Sequence, residues 1–219
     1  MSCHKIRKAR FPFVLIAAAS FASFLWTAQP SLAGAASSDA AAVASARAVV
    51  SKVMSRVVSV LSDRSLSDGQ RLVEIEAIAY SNFDFETMAK LVLARNWKNF
   101  SKEERRTFVT EFTDLLARSY SSRLKRYSDE GVEVVGARPE PRGDVTVETR
   151  IVGGGFDGAT VNYRMRQRAG EWKAIDAVVE GVSLVSSYRT QFREVLSGSS
   201  PAKLLERMRS KNRFSEVGV

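Results

Sequence analysis

The sequence predicts an α+β fold: a curved four-stranded antiparallel sheet packed against a helical layer. Three observations carry this. Apolar residues recur every three or four positions up to about residue 127, every second position between Val132 and Val179, and every three or four again from Ser186. The links between the strand-like runs are short, Pro139–Asp144, Gly153–Gly158 and Ala169–Glu171, which suits antiparallel neighbours. No internal repeat or low-complexity linker divides the chain, so one layered domain is expected.

The elements follow in order. Residues 1–33 read as a secretory signal peptide: Lys5, Arg7, Lys8 and Arg10 precede an apolar run from Phe11 to Trp26, and Ser31-Leu32-Ala33 is a small-x-small cleavage site. The run is short for a membrane span, which takes about 20 residues. Cleavage is expected after Ala33, the alternative being an uncleaved N-terminal anchor, with residues 34–40 a flexible start. Val43, Ala46, Val50, Val53, Val57 and Val60 then mark an amphipathic helix over 41–61. Ser67-Asp68-Gly69-Gln70 fits a capping box, followed by the helical face Leu72, Ile75, Ala79, Tyr80. Asp84 suits the start of a third helix carrying Met88, Leu91, Val92 and Trp97.

Ser101-Lys102-Glu103-Glu104 is a second capping box, opening a helix over 101–127. Phe108, Phe112, Leu115, Leu116, Tyr120, Leu124 and Tyr127 form its apolar stripe. The predicted strands are Val132–Val135, Val145–Val152, Ala159–Arg168 and Trp172–Val179. Val145, Val147, Thr149 and Ile151 alternate with Thr146, Glu148 and Arg150, and Val161, Tyr163 and Met165 with Asn162, Arg164 and Arg166. A helix is expected over Ser186–Leu196, and Ser200-Pro201 starts a last one, to about Lys211. The domain reading is thus 1–33 leader, 34–213 body and 214–219 flexible tail.

Composition narrows the chemistry. The only Cys and the only His are Cys3 and His4, both in the leader; cleavage leaves 186 residues without either. That body has no disulfide, no thiolate or imidazole metal ligand, no Ser-His-Asp or Cys-His catalysis and no histidine switch. The leader holds four Lys or Arg and no acid, so cleavage takes the net charge from +9 to +5. In an exported protein such charge suits anionic lipid heads or an acidic partner more than nucleic acid. Arg105, Arg106, Arg123, Lys125 and Arg126 read as a solvated helix face. No run of about 18 apolar residues follows residue 33, so a soluble body is expected. Gly153-Gly154-Gly155 lacks a following Lys-Ser/Thr and reads as a hairpin turn, not a phosphate cradle.

A curved sheet facing helices encloses either a filled core or a cavity, and periodicity does not separate the two. Asp176 sits inside the apolar run Ala174–Val178, and Glu180 closes that strand before Gly181. Four apart on a strand, the two acids share a face. They suit a general acid/base pair, or a structural role meeting Arg164, Arg166, Arg189 or a helix start.

Trp172-Lys-Ala-Ile-Asp-Ala-Val-Val-Glu-Gly-Val-Ser-Leu-Val185, with Ser-Ser-Tyr-Arg-Thr-Gln-Phe192 after it, resembles the C-terminal signature of the MlaC family of periplasmic phospholipid-binding proteins. Asn82–Trp97 and Ser101–Tyr120 resemble that family's short helix and long central helix, and the resemblance covers about residues 40–212. It implies that sheet and helices enclose an apolar pocket for lipid acyl chains, with the head group near solvent. The implied lipid-binding wall is Leu91, Phe112, Leu116, Val147, Ile151, Val161, Tyr163, Met165, Ile175, Ala177, Val179, Val182, Leu184 and Phe192. Asp176, Glu180 and Gly181 match the family motif and are read as shaping the fold. Ile175, Ala177 and Val179 are placed inward so that Asp176 faces away.

The resemblance further implies a monomeric periplasmic carrier, not an enzyme. It would use no cofactor or metal, with phospholipid as cargo, passing between an outer-membrane lipoprotein complex and an inner-membrane ABC lipid transporter. Three alternatives stay open: a small periplasmic enzyme using Asp176 or Glu180, a carrier of hopanoid or another lipid, and an adaptor that binds only protein.

Overall fold

The computed structural model describes residues 32–124 and 130–217, and the fold is that of the unit Ala33–Val219. Residues 1–31 of the expected leader lie outside the described residues. The first helix, α1, runs Leu32–Ser62. It starts earlier than the pattern indicates, because the stretch read as a flexible start is rich in Ala, the residue of highest helix propensity.

Helix α2 spans Asp68–Asn82, and its capping box is formed: the Ser67 hydroxyl accepts from the Gln70 backbone N–H, and the Gln70 side chain accepts from the Ser67 N–H. Helix α3 spans Phe85–Leu93 behind the N-cap Asp84, whose carboxylate accepts from Thr87 N at 2.8 Å. A 3-10 turn over Ala94–Asn99 leads to α4, Lys102–Leu124, opened by the predicted box: Glu104 N donates to Ser101 Oγ at 3.2 Å and Ser101 N to Glu104 Oε2 at 2.8 Å. Of the predicted α4 stripe, Tyr127 and the Tyr120 and Leu124 side chains lie outside the described residues.

The sheet has five antiparallel strands in sequence order, not four: β1 Gly131–Pro139, β2 Val145–Val152, β3 Thr160–Arg168, β4 Glu171–Val179 and β5 Val182–Ser183. The fifth forms because Glu180 and Gly181, at φ +48° and +78°, turn the chain back so that Val179 pairs with Val182. Bulges interrupt the register at Val134/Gly136 in β1 and opposite Arg164/Met165 in β4. The sheet is pinned to the helices by Asp84 N, which donates to Ala174 O at 2.9 Å beside a parallel bridge from Phe83. Helix α5 covers Leu184–Ser197 and α6 Pro201–Val217, which continues past the Lys211 end of the sequence pattern. There Asn212 is buried and donates to the Glu111 backbone O at 3.1 Å, holding α6 to α4.

Two cores result. In the first, α3, α4, α5 and α6 meet around Phe100, Phe108, Phe112, Phe192 and Leu204. Phe108 and Phe112 are fully buried, with edge-on rings of Phe192 at 5.5 and 6.3 Å. In the second, Ala46 and Val50 of α1 pack on Val145, Val147, Met165, Trp172 and Ala174 of the sheet. Trp172 Nε1–H donates to Ser45 Oγ at 3.1 Å, fixing α1 across the strands. No described helix is long and apolar enough to cross a membrane.

Candidate functional site

A cleft of about 470 Å3 opens between the sheet face and helices α1, α2 and α4, within the roughly 300–1,000 Å3 usual for small-ligand sites. Its floor is Thr149, Ile151, Val161, Tyr163, Ala177 and Val179; these alternate along β2, β3 and β4, which is why they share a face. Val53, Met54, Val57 and Leu61 of α1, Ile78 and Ala79 of α2, and Leu116 and Ala117 of α4 form the walls. Phe83, Phe85 and Met88 line the side beneath α3. Tyr80 and Phe156 also line it and are 52% and 37% exposed, so the cleft is open rather than enclosed.

The lining is nearly all carbon, and its few polar groups are mostly satisfied within the protein. Thr149 donates to Val161 O, Thr113 to Val109 O at 2.8 Å and Asn82 to Ile78 O at 2.7 Å. Glu180 accepts from the Thr160 backbone N–H and, at 3.0 Å, from its hydroxyl; these bonds hold its carboxyl below the usual range. Glu130 is buried under the hairpin tip and accepts from Gly155 N at 3.2 Å. Its carboxylate occupies the space a side chain at Gly154 (φ +63°) would need. Tyr163 differs: its hydroxyl reaches only the thioether of Met54, at 3.7 Å, and burial pushes its phenol up to about 12. Among the described lining residues the charged ones are Glu76, Glu130 and Glu180; none is Lys or Arg. Among the described residues no three acidic, His or Cys side chains gather as a metal site.

Of the wall residues named from the sequence, Leu116, Ile151, Val161, Tyr163, Ala177, Val179 and Leu184 line the cleft. The other seven lie elsewhere. Phe112 and Phe192 fill the helical core, with Leu91 packed against it. Val147 and Met165 are buried beneath α1, because that helix lies directly on their part of the sheet. Ile175 is fully buried at the β4 bulge, where the alternation slips; Ala174, read as outward, instead joins Met165 and Trp172. Val182 is 59% exposed in β5, since the turn before it carries the chain to the sheet edge.

The two strand acids have separate positions. Asp176 is outside the cleft: it accepts from Ser183 Oγ at 2.6 Å and from Val185 N at 3.1 Å, at the start of α5. Ser183 in turn caps α5 through Ser186 N at 3.0 Å. Glu180 lies in the lining at the turn with Gly181. The arginines offered as their partners go elsewhere, Arg164 and Arg166 to the buried Asp144 at 2.7 Å each, and Arg189 to Leu91 O at 2.9 Å. Asp144 lies in a loop next to prolines and gives no periodic signal in the sequence. The α1 and α2 walls carried a signal, since Val53, Val57 and Ala79 belong to the stripes that mark those helices, but a stripe does not say what faces it.

The chain matches a family model described as MlaC protein over residues 51–210. It is 22% identical over 114 residues to the toluene tolerance protein ttg2D of Pseudomonas putida, across 52% of this chain and 53% of that one. It is 23% identical over 143 residues to the intermembrane phospholipid transport system binding protein MlaC of Haemophilus influenzae, across 63% of this chain and 65% of that one. The chain thus spans between half and two thirds of the length of the curated relatives it matches. The structure superimposes on a phospholipid-binding protein from Ralstonia solanacearum, solved with a phospholipid, at a TM-score of 0.71 and 21% identity, covering 78% of this chain and 98% of that one. At that identity the match speaks for the fold.

Proposed function

The chain belongs to the MlaC family, and on that premise we propose that it is a periplasmic lipid carrier that holds phospholipid acyl chains in the cleft. The observation that carries the reading is the cleft itself: an open cavity whose described lining is almost entirely aliphatic and aromatic carbon. An acyl chain gains about 0.8 kcal/mol per methylene on leaving water. A two-chain lipid therefore crosses an aqueous space only inside such a container. The bilayer is equally apolar, so transfer into and out of the cleft is near balance and needs no catalyst or cofactor.

In this reading the leader is cleaved after Ala33 and the mature monomer shuttles lipid between an outer-membrane lipoprotein complex and an inner-membrane ABC transporter. Phospholipid binding by the Ralstonia protein and intermembrane phospholipid transport by the Haemophilus one support it. Of the enzyme alternative's two acids, Asp176 faces a helix start, and Glu180 lines the cleft with its carboxylate engaged by Thr160. The test is transfer of a fluorescent phospholipid between two liposome populations. The purified protein is expected to accelerate transfer in proportion to its concentration, and Ala177→Trp, which fills the cleft floor, to abolish the acceleration while leaving the circular dichroism spectrum intact. No acceleration by the wild type overturns the reading.

A further inference from the structure

Tyr163 is a polar group of the cleft floor that the described residues leave weakly partnered. Its ring is fixed, packed edge-on against Phe83 at 6.3 Å and standing opposite Val147 and Ala177 in the sheet register. Among the described residues its hydroxyl has one hydrogen-bond partner, Met54 Sδ at 3.7 Å, and Met54 is itself a cleft residue. A thioether is a poor acceptor, and a part-buried hydroxyl without a good one carries a desolvation cost that a phenylalanine at the same place would not. The phenol stays protonated at any working pH, since burial alone pushes it to about 12. It is therefore a donor. Two other lining threonines, Thr149 and Thr113, give their hydroxyl protons to backbone carbonyls, so neither competes for an incoming acceptor.

Position adds the second constraint. Tyr163 is three residues along β3 from Thr160, which sits by the hairpin end of the cleft with Glu180 and Phe156. At the strand rise of about 3.3 Å per residue, Tyr163 stands roughly 10 Å along the strand from that end, over the apolar floor. A hydrocarbon tail offers nothing to a donor there. An ester carbonyl, where an acyl chain joins glycerol, does.

We infer that the Tyr163 hydroxyl is a ligand-binding donor that takes an ester carbonyl of the bound lipid, so that the cleft selects acyl esters over alkyl ethers. Resting on the carrier reading, this places the ester end of the bound lipid at Tyr163.

The test compares diacyl with dialkyl phosphatidylethanolamine of the same chain length, each displacing a fluorescent phospholipid from the full mature protein. Wild type is expected to hold the diacyl lipid about fivefold more tightly, the yield of one hydrogen bond. Tyr163→Phe, which keeps the ring on Phe83, is expected to lower diacyl affinity to the dialkyl level and leave dialkyl affinity unchanged. Met54→Leu, which removes the competing thioether, is expected to keep the diacyl preference. A Tyr163→Phe protein with the wild-type ratio, or with both affinities lowered equally, overturns the assignment while the carrier reading stands. If neither lipid displaces the probe, the carrier reading falls and the assignment with it.

Discussion

At the scale of single residues, the sheet is held by polar contacts that the sequence pattern does not show. Asp144 is fully buried, with Arg164 Nη2 and Arg166 Nε both at 2.7 Å, and Arg166 engages both its oxygens. Its replacement by Ala strips a carboxylate from two guanidiniums that are partly exposed and so rehydrate. The expected loss is about 2 kcal/mol, below the cost of an uncompensated buried charge, read as a lowered urea midpoint. Asp84 behaves differently with pH. Burial works to raise its carboxyl, but hydrogen bonds from Thr87 and Arg168 outweigh it, so the folded value lies below the unfolded one of about 3.9. Its contribution is therefore whole above that value and is lost as pH falls through the folded value. Melting temperatures measured from pH 7 to 3 are expected to drop less steeply at the acid end for Asp84→Asn than for wild type.

At the scale of elements, legibility depended on whether a local rule decided the matter. The capping boxes at Ser67 and Ser101 and the N-cap at Asp84 formed because each is set by residues three apart. The period of 2 located β2, β3 and β4 to within a residue or so. The features that escaped are non-local or irregular. The extra residue at Ile175 exists only relative to β3, and it reversed the facing of Ala174. Two-residue β5 is too short to carry a period. Helix α4 shows the packing side of the same point: its aromatic stripe reads identically as core or pocket wall, and only the approach of α5 and α6 makes Phe108 and Phe112 core. Phe108→Ala is expected to cost about 3–5 kcal/mol, measured by urea denaturation.

At the scale of the whole molecule, the division between filled core and open cleft is set by where α1 lies on the sheet. Its stretch around Ala46 and Val50 covers Val145, Val147 and Met165, while Val53, Met54, Val57 and Leu61, further along, stand over the floor with the cleft between them. The two stretches do not differ in sequence pattern, so Val147 and Met165, read as wall from the sequence, fall under the helix instead of in the cleft. The chain's likeness to MlaC proteins is legible from Trp172–Phe192, a segment whose Asp176 and Gly181 build the β4–α5 junction outside the cavity wall, while Glu180 belongs to both the turn and the lining.

The central claim is that this cleft carries phospholipid. Native mass spectrometry of the mature protein from a periplasmic fraction, with lipid extraction of the same sample, tests it most directly. The expected spectrum shows the protein plus the mass of a phospholipid, an adduct that Ala177→Trp lacks. A bare protein mass for the wild type, unchanged after incubation with phospholipid liposomes, would contradict it.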